Sequence, residues 1–294
     1  MNIDKKWFLE KANDFLRNNE ANRMTGVDGS LFWEPDILLG FVSGDDPIFE
    51  KYKEVVGPKH LTPAEAYSKY CIKNGISATT DNLSVVAYIL PMNSLTKKEN
   101  LEYSKEWPSK KWAHTRFYGD RCNKALQDHL LEELEKEGIN GLAPMSPKGV
   151  KKSDYPSNNY LFKVYNYEYS SWSHRHMCFA AGLGSFGLSD GFISEKGKAM
   201  RCGSIIVDYK LPSDAANRPP DTEPYNKYCL ECGECIKRCP VGAISFKEGH
   251  DKVKCREMVT STIPYINQNY HIPIYSCGLC QVGVPCSNGI PIKK

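Results

Sequence analysis

Cys229-Leu-Glu-Cys232-Gly-Glu-Cys235-Ile-Lys-Arg-Cys239-Pro240 spaces its cysteines as C-x2-C-x2-C-x3-C-P. This spacing wraps a cubane 4Fe–4S cluster, because three thiolates at short intervals let one loop curl around a cube of iron and sulfide. Pro240 then stops the loop from continuing as a helix. Where two clusters share one fold, the fourth cysteine of such a run serves the other cluster. A second set is present: Cys255, Cys277, Cys280 and Cys286. The expected grouping is Cys229, Cys232, Cys235 and Cys286 around one cluster. Cys239, Cys255, Cys277 and Cys280 would surround the other. The second set is less regular, since Pro285 precedes Cys286 instead of following it.

Zinc and disulfides compete for these cysteines. Paired C-x2-C units bind zinc, but zinc sites rarely need a third cysteine two residues on and a fourth followed by proline. Disulfides need an oxidising compartment. Met1-Asn-Ile-Asp-Lys-Lys has neither a signal h-region nor a twin-arginine motif. Twelve cysteines without an export signal therefore point to metal ligation in a reducing cytoplasm, and oxygen-sensitive clusters would suit an anaerobe.

The 294 residues allow one substantial domain and a smaller one. A 41% hydrophobic and 25% charged composition is that of a soluble globular chain. The 38 basic and 35 acidic residues nearly cancel at +3, which gives no electrostatic argument for nucleic acid or an anionic membrane. No run approaches the ~20 apolar residues that span a bilayer.

Along the chain, Trp7, Phe8, Ala12, Phe15 and Leu16 predict an amphipathic helix over 4–19. Residues 20–47 read as loop containing an apolar run at 37–42. Pro63 opens a helix, and 83–90 reads as a buried strand. In 105–124, basic residues alternate with Trp107, Trp112, Phe117 and Tyr118, which can serve nucleic acid. Glu106 and Asp120 dilute that charge and favour a solvated helix face. Cys122, Leu126, Leu130 and Leu134 recur at i+4 and predict a core-facing helix closed by Gly138. Residues 141–159 read as a surface loop, Trp172–Ala181 as a short helix and Gly203–Asp208 as a strand. The domain division expected is 1–210 (with 1–79 its N-terminal part), a linker over 211–226, and a cluster domain over 227–294.

Gly182-x-Gly184-x-x-Gly187 matches the dinucleotide fingerprint, with Asp208 about 20 residues on. The context fails the match. A helix precedes the glycines, and Gly191, Gly197 and Gly203 break up the segment after them. The glycines are expected instead to let backbone approach another large ligand, or to form a tight turn.

Ser173-His174-Arg175-His176, Ala180-Ala181-Gly182-Leu183-Gly184-Ser185-Phe186-Gly187, Arg201-Cys202-Gly203-Ser204 and the cysteine set, in this order, resemble epoxyqueuosine reductases and their short relatives. Those are cobalamin-dependent proteins with two 4Fe–4S clusters, related to reductive dehalogenases. The resemblance covers roughly residues 80–294. It implies an α/β (α+β) fold: a nitroreductase-like core holding base-off cobalamin, followed by a ferredoxin-like two-cluster domain. It also implies cofactor contacts from Ser173, His174, His176, Gly182, Leu183, Gly184, Ser185, Phe186, Gly187, Arg201, Gly203 and Ser204. The family's catalytic aspartate lies 13 residues before the Ala-Gly-Leu-Gly motif, and counting back from Ala181 gives Glu168. The dehalogenase relatives use a tyrosine, which makes Tyr169, flanked by Tyr165 and Tyr167, the rival proton donor.

The implied function is a cytoplasmic reductase passing electrons from reduced ferredoxin or flavodoxin through two clusters to a corrinoid. The implied substrate is a modified nucleoside or another small molecule. Full-length bacterial members carry a helical-repeat tRNA domain, and this sequence stops eight residues after Cys286, so that domain is expected to be missing. A dehalogenase-like small-molecule reductase is the alternative enzyme. An electron carrier or corrinoid reactivator without its own substrate is the alternative from another class.

Overall fold

The computed structural model describes residues 2–77, 79–147, 160–166, 168–219 and 227–292. The elements in chain order are α1 (Lys5–Asn18), β1 (Leu38–Ser43), α2 (Ile48–Val55), α3 (Pro63–Asn74), β2 (Leu83–Pro91), α4 (Ser94–Tyr103), α5 (Lys110–His114) and α6 (Asp120–Lys136). They continue with β3 (Gly141–Leu142), β4 (Val164–Tyr165), β5 (Tyr169–Ser170), α7 (His174–Ala180), β6 (Gly184–Phe186), β7 (Phe192–Ser194) and β8 (Met200–Asp208). The C-terminal part carries α8 (Glu234–Arg238), β9 (Ile244–Ser245), β10 (Gly249–His250) and α9 (Lys252–Tyr270).

A four-stranded antiparallel sheet of order β1-β2-β8-β3 forms the spine. Every residue of β2 is buried, as expected for a continuous apolar strand covered on both faces. One face packs under α1 and α6, where Phe8, Leu16, Val86, Leu126, Leu130 and Leu134 share a core. The other packs under α2, α3 and α7, where Tyr52, Tyr67, Val85, Ala87, Trp172 and Phe179 share a second. This is a mixed α/β layered core, in agreement with the fold class read from sequence.

Local signals set the element ends. Thr62 caps α3 in a reciprocal capping box with Glu65, and Pro63 occupies the first helical position. The run 37–42, read as an apolar stretch inside a loop, is the edge strand β1. It pairs Leu38 with Ile89 through Ser43 with Ser84. The segment 105–124 is not one helix: a π turn over Thr115–Gly119 separates α5 from α6. Trp112 is buried there, and Lys111 is also buried, in a 2.5 Å ion pair with Asp28.

The start of the expected linker is pinned down. Asp214 accepts from Phe41 N at 2.9 Å and from Lys5 Nζ at 2.7 Å, and Leu211 N donates to Ser84 Oγ at 2.9 Å. The rest of that linker, 220–226, lies outside the described residues, as do 148–159 of the expected surface loop. Among the described residues no helix is long and apolar enough to cross a membrane.

Candidate active site and cysteine centres

The cysteine loop folds as its spacing demands. Gly233 takes φ +74° ahead of the one-turn helix α8, and Cys239 caps that helix before Pro240. Cys229, Cys232, Cys235 and Cys286 all line one small cavity, which brings the distant Cys286 to the first three thiols. Leu188 N donates to Cys229 Sγ at 3.4 Å, and Ala243 N donates to Cys239 Sγ at 3.2 Å. Backbone amides aimed at cysteine sulfurs are a lever on cluster potential.

The other set is also mutually close. Burial pushes the Cys277 thiol up to about 11, with Cys255 and Cys239 acting on it in the same direction. Burial likewise pushes Cys280 up to about 12, with Cys277 and Cys255 among its neighbours. Iron must displace these protons, so loading releases them. Among the described residues, no three His, Cys, Asp or Glu side chains converge on a point that would hold a single ion. A cubane makes a different demand, because each thiolate meets its own iron at a separate corner. Cys71, Cys122, Cys178 and Cys202 are buried elsewhere; all four belong to the two cores, as the i+4 pattern foretold for Cys122.

A cavity of about 400 Å³ opens beside the cysteine region. Its wall comes from α6 (Asp120, Asn123, Lys124, Gln127), from the start of α7 (Ser173, His174, Arg175), from β8 (Met200, Arg201, Cys202) and from Lys198 and Gln281. Gln281 comes directly after Cys280, so the cysteine region itself closes one side. A second cavity of about 460 Å³ shares Phe162, Ser170, Ser173 and Arg175 with the first. Glu168, Tyr169, His176 and Phe186 face it.

His174 and His176 are two apart on a helix, and they diverge onto the two cavities. Burial, then the charge of Arg201, lowers His174 to about 3. Burial, then Arg175, lowers His176 to about 3. Both rings are neutral hydrogen-bonding groups at physiological pH. His174 Nδ1 meets Ser204 Oγ at 2.7 Å and His176 Nδ1 meets Ser173 Oγ at 2.8 Å. Arg201 Nε lies 2.8 Å from Asp120 Oδ1, a charge contact without hydrogen-bond alignment, and Arg116 pairs with the other oxygen of Asp120.

Not every residue expected to touch the cofactor faces these cavities. Gly182 (φ +70°) abuts Asn217, and a Cβ on Gly184 would strike the Ile193 carbonyl across the β6–β7 pair. Ser185 Oγ accepts from Tyr228 N at 3.0 Å, and Gly187 sits 3.5 Å, by its would-be Cβ, from Cys229 Sγ. Leu183 packs with the second core. The glycine stretch therefore locks the sheet layer to the cysteine region; Phe186 alone of it lines either of these two cavities, and Gly187 lines the four-thiol cavity. The element that follows these glycines is the strand β7, not a helix, which fits the rejection of the dinucleotide fingerprint. Gly203 closely faces the Tyr88 ring, and Ser204 lies behind the wall, holding Trp172 Nε1 at 3.1 Å and His174.

Glu168 is exposed in the turn between β4 and β5, and Tyr169 stacks on Tyr165 at 5.1 Å. Tyr167 lies outside the described residues. Asp120, Gln127, Lys198 and Gln281 were missed by sequence reasoning. None carries a motif; only tertiary contact brings them together.

A family model described as a 4Fe-4S binding domain matches residues 225–245. The epoxyqueuosine reductase of Listeria monocytogenes is 29% identical over 114 residues, 37% of this chain and 28% of that protein. The epoxyqueuosine reductase of Francisella cf. novicida is 31% identical over 118 residues, 38% of this chain and 31% of that protein. The matched stretch thus spans less than a third of the length of these curated relatives. A solved catabolic reductive dehalogenase in complex with 3-bromo-4-hydroxybenzoic acid matches in fold at a TM-score of 0.50 and 13% identity, over 87% of this chain and 30% of that one. The resemblance first read from the motifs is matched by these sequence comparisons: over little more than a third of its length the chain is similar to epoxyqueuosine reductases.

Proposed function

We propose that this protein is an iron–sulfur reductase that uses two 4Fe–4S clusters and a corrinoid. The observation that carries the reading is the adjacency of the four-thiol cavity and the 400 Å³ cavity, which meet at Lys198. Cys229, Cys232, Cys235 and Cys286 would hold one cluster, and Cys239, Cys255, Cys277 and Cys280 the other. The functional division is a core over 1–210, a connection over 211–226 and a cluster domain over 227–294. The names of the curated relatives support a reductase acting on epoxyqueuosine or a similar modified nucleoside.

The residues present fit a corrinoid. Two contiguous cavities offer the room, and their walls mix apolar side chains with neutral donors and acceptors suited to a corrin's peripheral amides. Bound there, the corrinoid supplies a reducible, nucleophilic cobalt. The protein's own part is positioning and proton supply. His174, held neutral, and Gln127 line the inner wall, while the Arg201–Asp120–Arg116 charges fix its rim. Glu168 at the second cavity would give the proton that the reduced substrate takes up, with Tyr169 as the other candidate. A reduced ferredoxin or flavodoxin would deliver electrons at the exposed Cys232 side.

The test is anaerobic reconstitution with hydroxocobalamin. Retention of about one cobalt per chain after desalting is expected. Substituting Met145→Trp, which fills the wall of the first cavity, should lower that retention while iron content stays. Cobalt lost equally from the parent would overturn the corrinoid reading and favour a carrier of electrons alone.

A further inference from the structure

Lysine is seldom fully buried without a charged partner, because desolvating an ammonium is costly. Lys198 is 4% exposed. Its Nζ donates to Ser189 Oγ at 2.8 Å, and no carboxylate pairs with it among the described residues. Its backbone N donates to the Cys286 carbonyl at 2.8 Å, which fixes it to the C-terminal cysteine loop. Gly191 makes the room: a Cβ there would meet Lys198 Cδ at 2.5 Å. Among the described residues, Lys198 is the one side chain that lines both the four-thiol cavity and the large cavity. Burial raises the Cys235, Cys280 and Cys286 thiols, and the Lys198 ammonium is the opposing charge at each of them. One cation thus stands among thiols of both cysteine sets.

An ammonium built into such a place needs an anion, and among the described residues no carboxylate pairs with it. A cubane in four thiolates is an anion, and it gains one more negative charge on one-electron reduction. A fixed cation beside it stabilises the reduced form more than the oxidised form, since the attraction grows with the charge. Net charge and surroundings are what set cluster potentials. We infer that Lys198 is a positioning residue for electron transfer: its charge raises the reduction potential of the cluster held by Cys229, Cys232, Cys235 and Cys286. It would thereby keep that cluster reducible at the boundary with the cofactor cavity. This rests on the cluster reading proposed above.

The experiment is an anaerobic potentiometric titration of the purified, cluster-loaded protein with dithionite, monitored by the electron paramagnetic resonance of the reduced clusters. Iron and sulfide are measured first. A parent without cluster iron overturns the cluster reading and this inference with it. With iron present, Lys198→Met should lower the midpoint of one cluster so that its reduced-to-oxidised ratio at fixed potential falls about tenfold, about 59 mV for one electron. Lys198→Arg should restore most of it. Unchanged midpoints in Lys198→Met overturn this inference alone. If Lys198→Met loses its iron, retention becomes the readout alongside Lys198→Gln. Iron kept in the arginine variant and lost in both neutral ones supports the charge; iron lost in all three is a packing effect and overturns it.

Discussion

His174 Nδ1 lies 2.7 Å from Ser204 Oγ, tying the first residue of α7 to the middle of β8. The same hydroxyl accepts from Trp172 Nε1 at 3.1 Å. With one proton and two lone pairs, the hydroxyl serves the indole and still bonds Nδ1. A single buried serine thus orients the ring of a cavity residue and satisfies a fully covered indole. Ser204→Ala removes this shared partner and leaves a buried indole N–H and a buried ring nitrogen unpaired. Such a loss costs about 1–3 kcal/mol. The denaturant midpoint should fall accordingly at constant m, with iron content unchanged. An unshifted midpoint would mean that water replaces the hydroxyl.

The buried histidines predict acid sensitivity. Burial is the main cause that holds His174 and His176 down to about 3 and His60 down to about 4. Released into the unfolded chain, each titrates near ~6.5. Between those values the unfolded state binds protons that the native state refuses. Stability is full above about 6.5 and falls as pH drops toward 4, by about 1.4 kcal/mol per pH unit for each histidine. His60 isolates the effect, because it is 1% exposed, stacks on Trp172 at 6.0 Å, and neither ring nitrogen has a hydrogen-bond partner. In urea titrations from pH 7 to 5, His60→Phe should flatten the decline by that amount. Equal slopes in parent and variant would show that His60 is protonated in the native protein.

Cysteine substitutions separate ligands from packed thiols. Two cubanes would bring about eight irons per chain, and Cys232→Ser should then leave about four. The variant should also unfold earlier, since cluster binding stabilises the folded loop. Cys122→Ser, inside α6, should keep all its iron and lose stability only. Full iron in Cys232→Ser, measured with a chelator after anaerobic desalting, would remove that residue from the ligand set.

The range of each interaction decided how much of it was legible in the sequence. Cys122, Leu126, Leu130 and Leu134 form a local pattern, and all four are 0% exposed in α6. The C-x2-C-x2-C-x3-C-P run is local too, and a 4Fe-4S model overlaps it. The edge strand β1 was obscured because Gly40 interrupts a short apolar run. That glycine is needed where the Ala181 carbonyl comes close, 2.8 Å from a Cβ built there. The two residues of β3 are a strand only by virtue of pairing with Ile206 and Val207. The glycine stretch was read as backbone approaching a ligand or as a tight turn, whereas Gly184 lies against the Ile193 carbonyl and Gly182 against Asn217 and Arg218, contacts set only by tertiary packing. Asp120 and Lys198 gave no signal because their meaning lies wholly in the groups that pack against them.

The last prediction concerns the proton. Glu168 sits exposed in the tight β4–β5 turn after Asn166, which takes φ +48°. Its backbone N donates to the Tyr165 carbonyl at 2.9 Å, so the turn holds its place while the side chain stays at the second cavity. Tyr169 is half-buried on the same hairpin, its ring stacked on Tyr165 and packed close to Gly57. A group that delivers a proton from a cavity mouth must be replenished from solvent after each turnover. The exposed carboxyl meets that demand directly, whereas the phenol is wedged between neighbours. Glu168→Gln should therefore cost about 10²-fold or more in turnover with an epoxyqueuosine substrate. Iron and cobalt content should match the parent, and Tyr169→Phe should stay within a few-fold of it. The reverse pattern would assign the proton to Tyr169 and move the chemistry toward that of the dehalogenases. Full activity in both variants would place the acid on another wall of the cavity, with the Asp120 carboxyl the next to be changed.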